Sequence, residues 1–219
     1  GTMLAAMPTD TSRIGIDPSA EKFRSFYPND IELIVDFFPS KQLESRLNGT
    51  KAKVITSVAM FYDLEDPLAF ATEVRNLLSS DGVWHIEQSY LGSMISQKAY
   101  DTICHEHIEY YSLKQILYIA NKLDLKIIYL TKTPTNGGSF EVTLAHANSE
   151  YPEAKNIADF LAEEQTLKLD DPQTYLDFKN EIDRLKDELL VMLSSLPKKP
   201  WGFGASTKGN VLLQYCGLG

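Results

Sequence analysis

Between residues 13 and 146, short apolar runs alternate with longer amphipathic stretches, and the two have different periods. The runs 13–18, 31–38, 53–60 and 83–88 are rich in Ile and Val and read as strands. The stretches 19–27, 40–48 and 66–79 read as helices. In the last of them Leu68, Ala71, Val74, Leu77 and Leu78 return at helical spacing behind Pro67, a residue suited to a first helical turn. Strands alternating with helices of this length predict crossover units and an α/β fold whose mostly parallel sheet is covered on both faces. Helices are expected over 92–103 and 112–123, then strands over 125–129 and 140–146. The turn 133–139 between those strands holds Gly137-Gly138, which permits positive φ, so a hairpin should close the sheet with one antiparallel strand. Past His146 the chain turns charged, amphipathic and strand-free over 153–168 and 172–195, with Ile182, Leu185, Leu189 and Leu193 as a helical stripe. The expected division is therefore an α/β domain at 1–148, then a helical connection and a glycine-rich beginning of another α/β unit at 149–219. Both ends read as cut, since no strand precedes Met3 and the chain stops inside that second unit.

Composition narrows the function classes. Apolar residues fill 43% of 219 positions, enough for a core, and no apolar run reaches the roughly 18–20 residues of a membrane span. A net charge of −9 argues against sequence-independent binding to nucleic acid, although backbone amides can still hold a small anion. Two cysteines, Cys104 and Cys216, make neither a disulfide framework nor a zinc site, and no signal peptide opens the chain, so a cytoplasmic setting is the default. Nothing in the pattern fixes an oligomeric state.

The densest chemistry lies between Tyr100 and Ser112, where Cys104-His105-Glu106-His107 is followed by Glu109, Tyr110 and Tyr111. A histidine beside a carboxylate can exchange protons near neutral pH, so general acid/base use leads, with a purely structural loop as the alternative. Metal binding is not expected: histidines two apart do not share a helix face, and His85 and His146 stand alone in strands. Asp17 and Asp36 end the first two strands, where ligands of open α/β sheets sit. Asp17 is placed to accept from ribose hydroxyls and Asp36-Phe37 to meet an adenine, while an ordinary turn or cap remains open for each. Asp63 follows the third strand beside Phe61-Tyr62, whereas Glu65 and Asp66 fit a helix N-terminus. Asn136, Gly137, Gly138 and Ser139 offer amides and a hydroxyl to a phosphate or sugar oxygen, and a plain hairpin explains them equally well. The glycine-rich 202–209, which contains Lys208, lacks the ending of a Walker loop and reads as a loop between a strand and a helix.

Taken in order, residues 15–19, 36–38, 57–67, 88–91, 100–112, 136–139 and 204–210 resemble the C-methyltransferases of nucleotide-linked keto-deoxy sugars, a branch of the class I S-adenosylmethionine (SAM)-dependent methyltransferases. The resemblance implies a Rossmann-like methyltransferase sheet with its first strand missing here, and the start of a second Rossmann-like domain. It implies SAM as cofactor, with Gly1 the last glycine of a cofactor loop, Asp17 on the ribose and Asp36 and Phe37 on the adenine. Zinc is implied only in an N-terminal domain that this sequence does not include. His107 takes the position of the base, with Glu106 and His105 beside it. Asp63, Tyr110, residues 136–139 and Lys208 fall to a nucleotide-linked sugar substrate. Two departures stand out: Cys104 replaces a tyrosine, and Asp63 replaces a histidine.

The chemistry agrees with that implication. A C–H bond cannot attack a sulfonium methyl, but removing the hydrogen α to a ketone gives an enolate that can. Such an enzyme needs a base of suitable pKa, donors for the enolate oxygen, and alignment of the two carbons. His107 meets the first need; the sequence does not identify the donors. Methylation of oxygen or nitrogen on a small metabolite, and a non-catalytic methyltransferase-like fragment, are the competing expectations.

Overall fold

The computed structural model describes residues 2–198, 200–202, 204 and 206–218. Helix α1 (Thr2–Ala6) precedes β1 (Ile14–Ile16), a 3-10 stretch (Ala20–Phe26), β2 (Glu32–Ile34) and α2 (Lys41–Leu47). Next come β3 (Ala52–Val58), a 3-10 turn (Phe61–Asp63), α3 (Pro67–Leu77), β4 (Leu78–Ser89) and α4 (Leu91–Gln97). Then follow α5 (Leu113–Lys122), β5 (Leu125–Thr133), a 3-10 turn (Thr135–Gly137), β6 (Ser139–His146), α6 (Ile157–Thr166), α7 (Pro172–Ser194) and α8 (Thr207–Cys216).

Among the described residues the strands form two sheets, a parallel pair β1-β2 and a four-stranded sheet in the order β3-β4-β6-β5. Strand β3 runs parallel to β4, and β6 runs against both β4 and β5. So β3, β4 and β5 share one direction, β6 is the reversed strand, and three carboxyl ends open on one rim of an α/β sheet. That rim is where such sheets hold ligands.

One face of the larger sheet makes the core. Trp84, Ile86, Phe140, Val142, Leu144 and Ile127 are almost wholly buried on it. They pack with Phe61, with Ala71 and Val74 of α3 and with Leu113, Ile116 and Ile119 of α5. Trp84 donates its indole N–H to Ser57 Oγ at 3.1 Å, which satisfies the one polar atom on that ring. The opposite face alternates to half-buried Val83, His85, Glu87 and Ser89, and Glu87 lies directly across from Glu141. Cover on both faces is thus not seen among the described residues. The strands follow the two-residue period of a sheet with one solvated side.

A second cluster joins Leu91 and Met94 of α4 to Phe178 and Ile182 of α7, so the helical connection docks on the α/β portion. Glu164 of α6 ties the two portions again. It accepts from Tyr90 Oη at 2.9 Å and from the amides of Leu113 at 2.5 Å and Lys114 at 3.3 Å. Those two amides are orphan donors in the first turn of α5. No described helix is long and apolar enough to cross a membrane.

Several expected bounds moved. The fourth strand runs back to Leu78 because Gly82 lets the chain pass close to β3: a Cβ there would sit 2.8 Å from Ala52 O. The helix expected over 92–103 stops at Gln97, where Lys98 turns left-handed at φ 56° and its amide closes on Ile95 and Met94. Residues 19–27 form 3-10 turns rather than an α-helix. No strand is found in the described residues between α7 and α8, where Ser206 caps the helix that begins at Thr207.

Two substitutions test this account. Gln88 is 1% exposed, on the core face of β4, and neither its Oε1 nor its Nε2 has a partner. Replacing it with Leu should raise stability by about 1–3 kcal/mol, read as a higher urea midpoint at unchanged m-value. Glu164→Leu should lower stability by about 2–4 kcal/mol, because the Tyr90 hydroxyl and two helix amides lose their acceptor together.

Candidate active site

The rim acquires its chemistry from the chain leaving β3. Ala59 takes a positive φ of 52° and its amide donates to Glu87 O at 2.8 Å, so the chain curls over the end of β4. Phe61 then drops into the core, 5.5 Å from the Trp84 ring and 5.2 Å from the Tyr111 ring. That burial fixes its neighbour Tyr62, whose ring lies 4.1 Å from the His107 imidazole at 45°.

The loop bearing His107 is anchored to the same turn. Tyr62 O accepts from the amides of both Ile108 and Glu109 at 3.1 Å, and His107 N donates to Cys104 O at 3.2 Å. Leu91 N donates to Tyr111 O at 2.9 Å, and Tyr111 Oη to Glu109 Oε2 at 2.5 Å. Ser112 ends the loop by donating its amide to Gln115 Oε1 at 3.0 Å, which starts α5.

Charges around the imidazole are uneven. Burial pushes the Asp63 carboxyl above its ordinary range, His107 pulls it back, and Glu106 adds to the rise. Burial, then Asp63 and Cys104, push the Tyr62 hydroxyl up to about 12. The neighbouring Cys104 thiol holds the Glu106 carboxyl below its usual value, with smaller help from His105 and His107. Burial raises the thiol itself. His105 projects outward with its side chain 89% exposed, 3.4 Å from Glu106. The structure therefore brings Tyr62 and Asp63 to His107, with Cys104, His105 and His107 all near Glu106.

Tyr110 is half-buried and, with Ile103, Ile108, Glu109, Tyr175 and Phe178, lines a cavity of about 370 Å³ beside the loop. The turn from β5 to β6 occupies the same rim. Asn136, Gly137 and Gly138 all have positive φ, at 54°, 87° and 116°. Gly138 O accepts from Tyr90 N at 3.2 Å, and Ser139 Oγ donates to Thr135 O at 3.0 Å. Lys208, in the first turn of α8, donates to Asn136 O and lies 3.5 Å from Asp101.

Asp17 and Asp36 follow the carboxyl ends of the paired strands β1 and β2. Asp17 Oδ1 is taken by Ser19, at 2.6 Å from its amide and 2.7 Å from its hydroxyl. Asp36 Oδ1 accepts from Phe37 N at 2.8 Å, and the Phe37 ring is 74% exposed. Gly1 lies outside the described residues. No group of three or more His, Cys, Asp and Glu able to hold a metal occurs among the described residues. Tyr62 is the residue that sequence reasoning passed over, although two aromatics directly behind a strand end were its visible signal.

Residues 134–219 match the family described as the C-methyltransferase C-terminal domain. The chain is 27% identical over 210 residues to C-methyltransferase NovU of Streptomyces niveus, a match covering 94% of this chain and 50% of NovU. It thus spans about half the length of that curated relative. Among solved structures, the LepI complex with SAM superposes with a TM-score of 0.51 at 14% identity, covering 66% of this chain and 38% of LepI. A structure titled a pericyclic reaction enzyme gives the same TM-score, identity and coverage. These superpositions bear on the fold alone.

The glycine turn generates a sharp test. A Cβ on Gly138 would lie 2.5 Å from Ser93 Cβ, in a backbone conformation L side chains rarely adopt. Gly138→Ala should cost about 1–3 kcal/mol of stability by thermal melting, and Gly209→Ala, which has room, should cost far less.

Proposed function

We propose that the protein is a SAM-dependent methyltransferase that methylates a carbon α to the ketone of a nucleotide-linked sugar, with His107 as the base. The observation that carries this reading is the half-buried His107 imidazole, packed at 45° against Tyr62 with the Asp63 charge nearby at the carboxyl rim of the sheet. The C-methyltransferase C-terminal domain match and the NovU relative support the reaction class, and LepI, solved with SAM, supports a cofactor of that kind on this fold.

The residues present fit the cofactor. Asp17 keeps one carboxylate oxygen beyond its turn with Ser19, which suits ribose hydroxyls. Asp36, with the exposed Phe37 ring, suits an adenine amino group and its face. When bound, SAM supplies an electrophilic methyl group on a sulfonium.

The chain's own residues do the remainder. His107 accepts the α-hydrogen, and Asp63 favours the imidazolium that forms, by charge rather than contact. Glu106 and His105, exposed on the outer side of the loop, serve substrate binding or loop geometry in this reading. Lys208 beside the turn 136–139 places an ammonium at the rim for the diphosphate, while the amides of Gly137 and Gly138 bond within the turn.

His107→Gln tests the assignment. In deuterated water with thymidine-diphosphate-4-keto-6-deoxyglucose, α-hydrogen exchange should fall about 10²–10⁴-fold while calorimetric SAM binding is kept. Unchanged exchange would remove His107 as base. Heat from neither SAM nor S-adenosylhomocysteine with the wild type would remove the cofactor reading, and a product NMR signal for a heteroatom-bound methyl would move the reaction to oxygen or nitrogen.

A further inference from the structure

We propose that the Tyr62 hydroxyl is the hydrogen-bond donor to the substrate's carbonyl oxygen while His107 removes the neighbouring hydrogen. The inference rests on the reaction just proposed and fills its missing part, a group to hold the negative charge that develops on oxygen.

Three tyrosines are buried in the α/β portion, at positions 62, 90 and 111. Tyr90 donates to Glu164 and Tyr111 to Glu109, as buried hydroxyls ordinarily do. No described residue accepts from Tyr62, and its oxygen is not among the enclosed side-chain atoms that lack a partner, so the hydroxyl is reachable from outside. The ring is locked: Phe61 anchors the turn in the core, and the Tyr62 carbonyl holds the amides of Ile108 and Glu109. Hydroxyl and imidazole are therefore carried on one rigid unit with 4.1 Å between ring centres. A donor fixed before the reaction loses nothing to reorganisation.

The competing groups are unsuited. Ionised Asp63 and Glu106 only accept, the Cys104 thiol is a weak donor beside Glu106, and Lys208 stands at the 136–139 turn with the diphosphate. With its pKa near 12, Tyr62 stays protonated across the neutral range.

The step balances without another reagent. The α C–H bond breaks, its proton goes to the imidazole, and its electron pair moves through carbon to the carbonyl oxygen. Tyr62 keeps its own proton and shares it with that oxygen. When the carbon then takes up the methyl group, the new C–C bond forms, the C–S pair stays with sulfur, the carbonyl returns and the imidazolium proton is released to solvent.

Tyr62→Phe removes the hydroxyl and keeps the ring that packs on His107. In the same exchange assay it should be slower than wild type by about 10²–10³-fold, with SAM affinity and melting temperature unchanged. A Tyr62→Phe protein that exchanges the α-hydrogen as fast as wild type overturns the proposal and leaves the function of His107 standing. A wild type that exchanges none sinks the reaction and this donor together, so the two failures are told apart.

Discussion

One buried carboxylate sets the frame on which the rim is built. Glu164 is 6% exposed and takes three donors from two other elements: the hydroxyl of Tyr90, just past β4, and the first amides of α5. The loop 98–112 is slung between those two elements, so its ends are held from below by one side chain on α6. A carboxylate is costly to bury unless several donors meet it, and here a helix N-terminus supplies two of them. Lys132 and Glu163 extend the arrangement, with the Lys132 ammonium 5.6 Å from the centre of the Tyr90 ring. Ordering a long loop costs backbone entropy for every residue, and fixed ends reduce how much the middle must contribute.

The middle of the loop is then fixed from above. Phe61 is the wedge: at 0% exposure, between Trp84 and Tyr111, it settles where Tyr62 and Asp63 stand. The imidazole of His107 lies against that turn through one ring contact, and two main-chain hydrogen bonds hold the residues that follow it. Core packing and site geometry are continuous here, because the residue that fills the core is the neighbour of the one that touches the His107 ring. Positioning of this kind matters, since displacement of a catalytic group by about 1 Å can cost a hundredfold in rate.

The sheet and its helices were legible in the sequence because their period is strong. The positions Leu68, Ala71, Val74 and Leu77 define α3, and Phe140, Val142 and Leu144 define the buried side of β6. The extra length of β4 was hidden because Leu78 and Ser79 continue the expected helix 66–79 and Ser80, Asp81 and Gly82 show no strand pattern; pairing of Leu78 with Ala52 overrides that local preference. The loop with two histidines was visible as a density of ionisable groups, but the side chains that join it from elsewhere were not. Glu106, next to His107 in sequence, has Cys104, His105 and His107 as its neighbours. Tyr62 and Asp63, more than forty positions earlier, come to His107 only through the crossover from β3 to β4, a relation no local pattern records.

The two carboxylates near the imidazole are both exposed and differ in what sets their acidity. Between exposed charges an ion pair at short range is worth about 1 kcal/mol, and salt screens it further. For Asp63 partial desolvation is the largest influence, and the pull of His107 opposes it. For Glu106 the neighbouring Cys104 comes first, and His107 is the smallest influence of those named. A base that must gain a proton during the reaction profits from a counter-charge that is partly desolvated, close by and carried on the turn that holds its ring. Asp63, carried on the turn that holds the His107 ring, comes nearer to those conditions than Glu106, so in the proposed reaction the charge partner of His107 is the acid at the strand end.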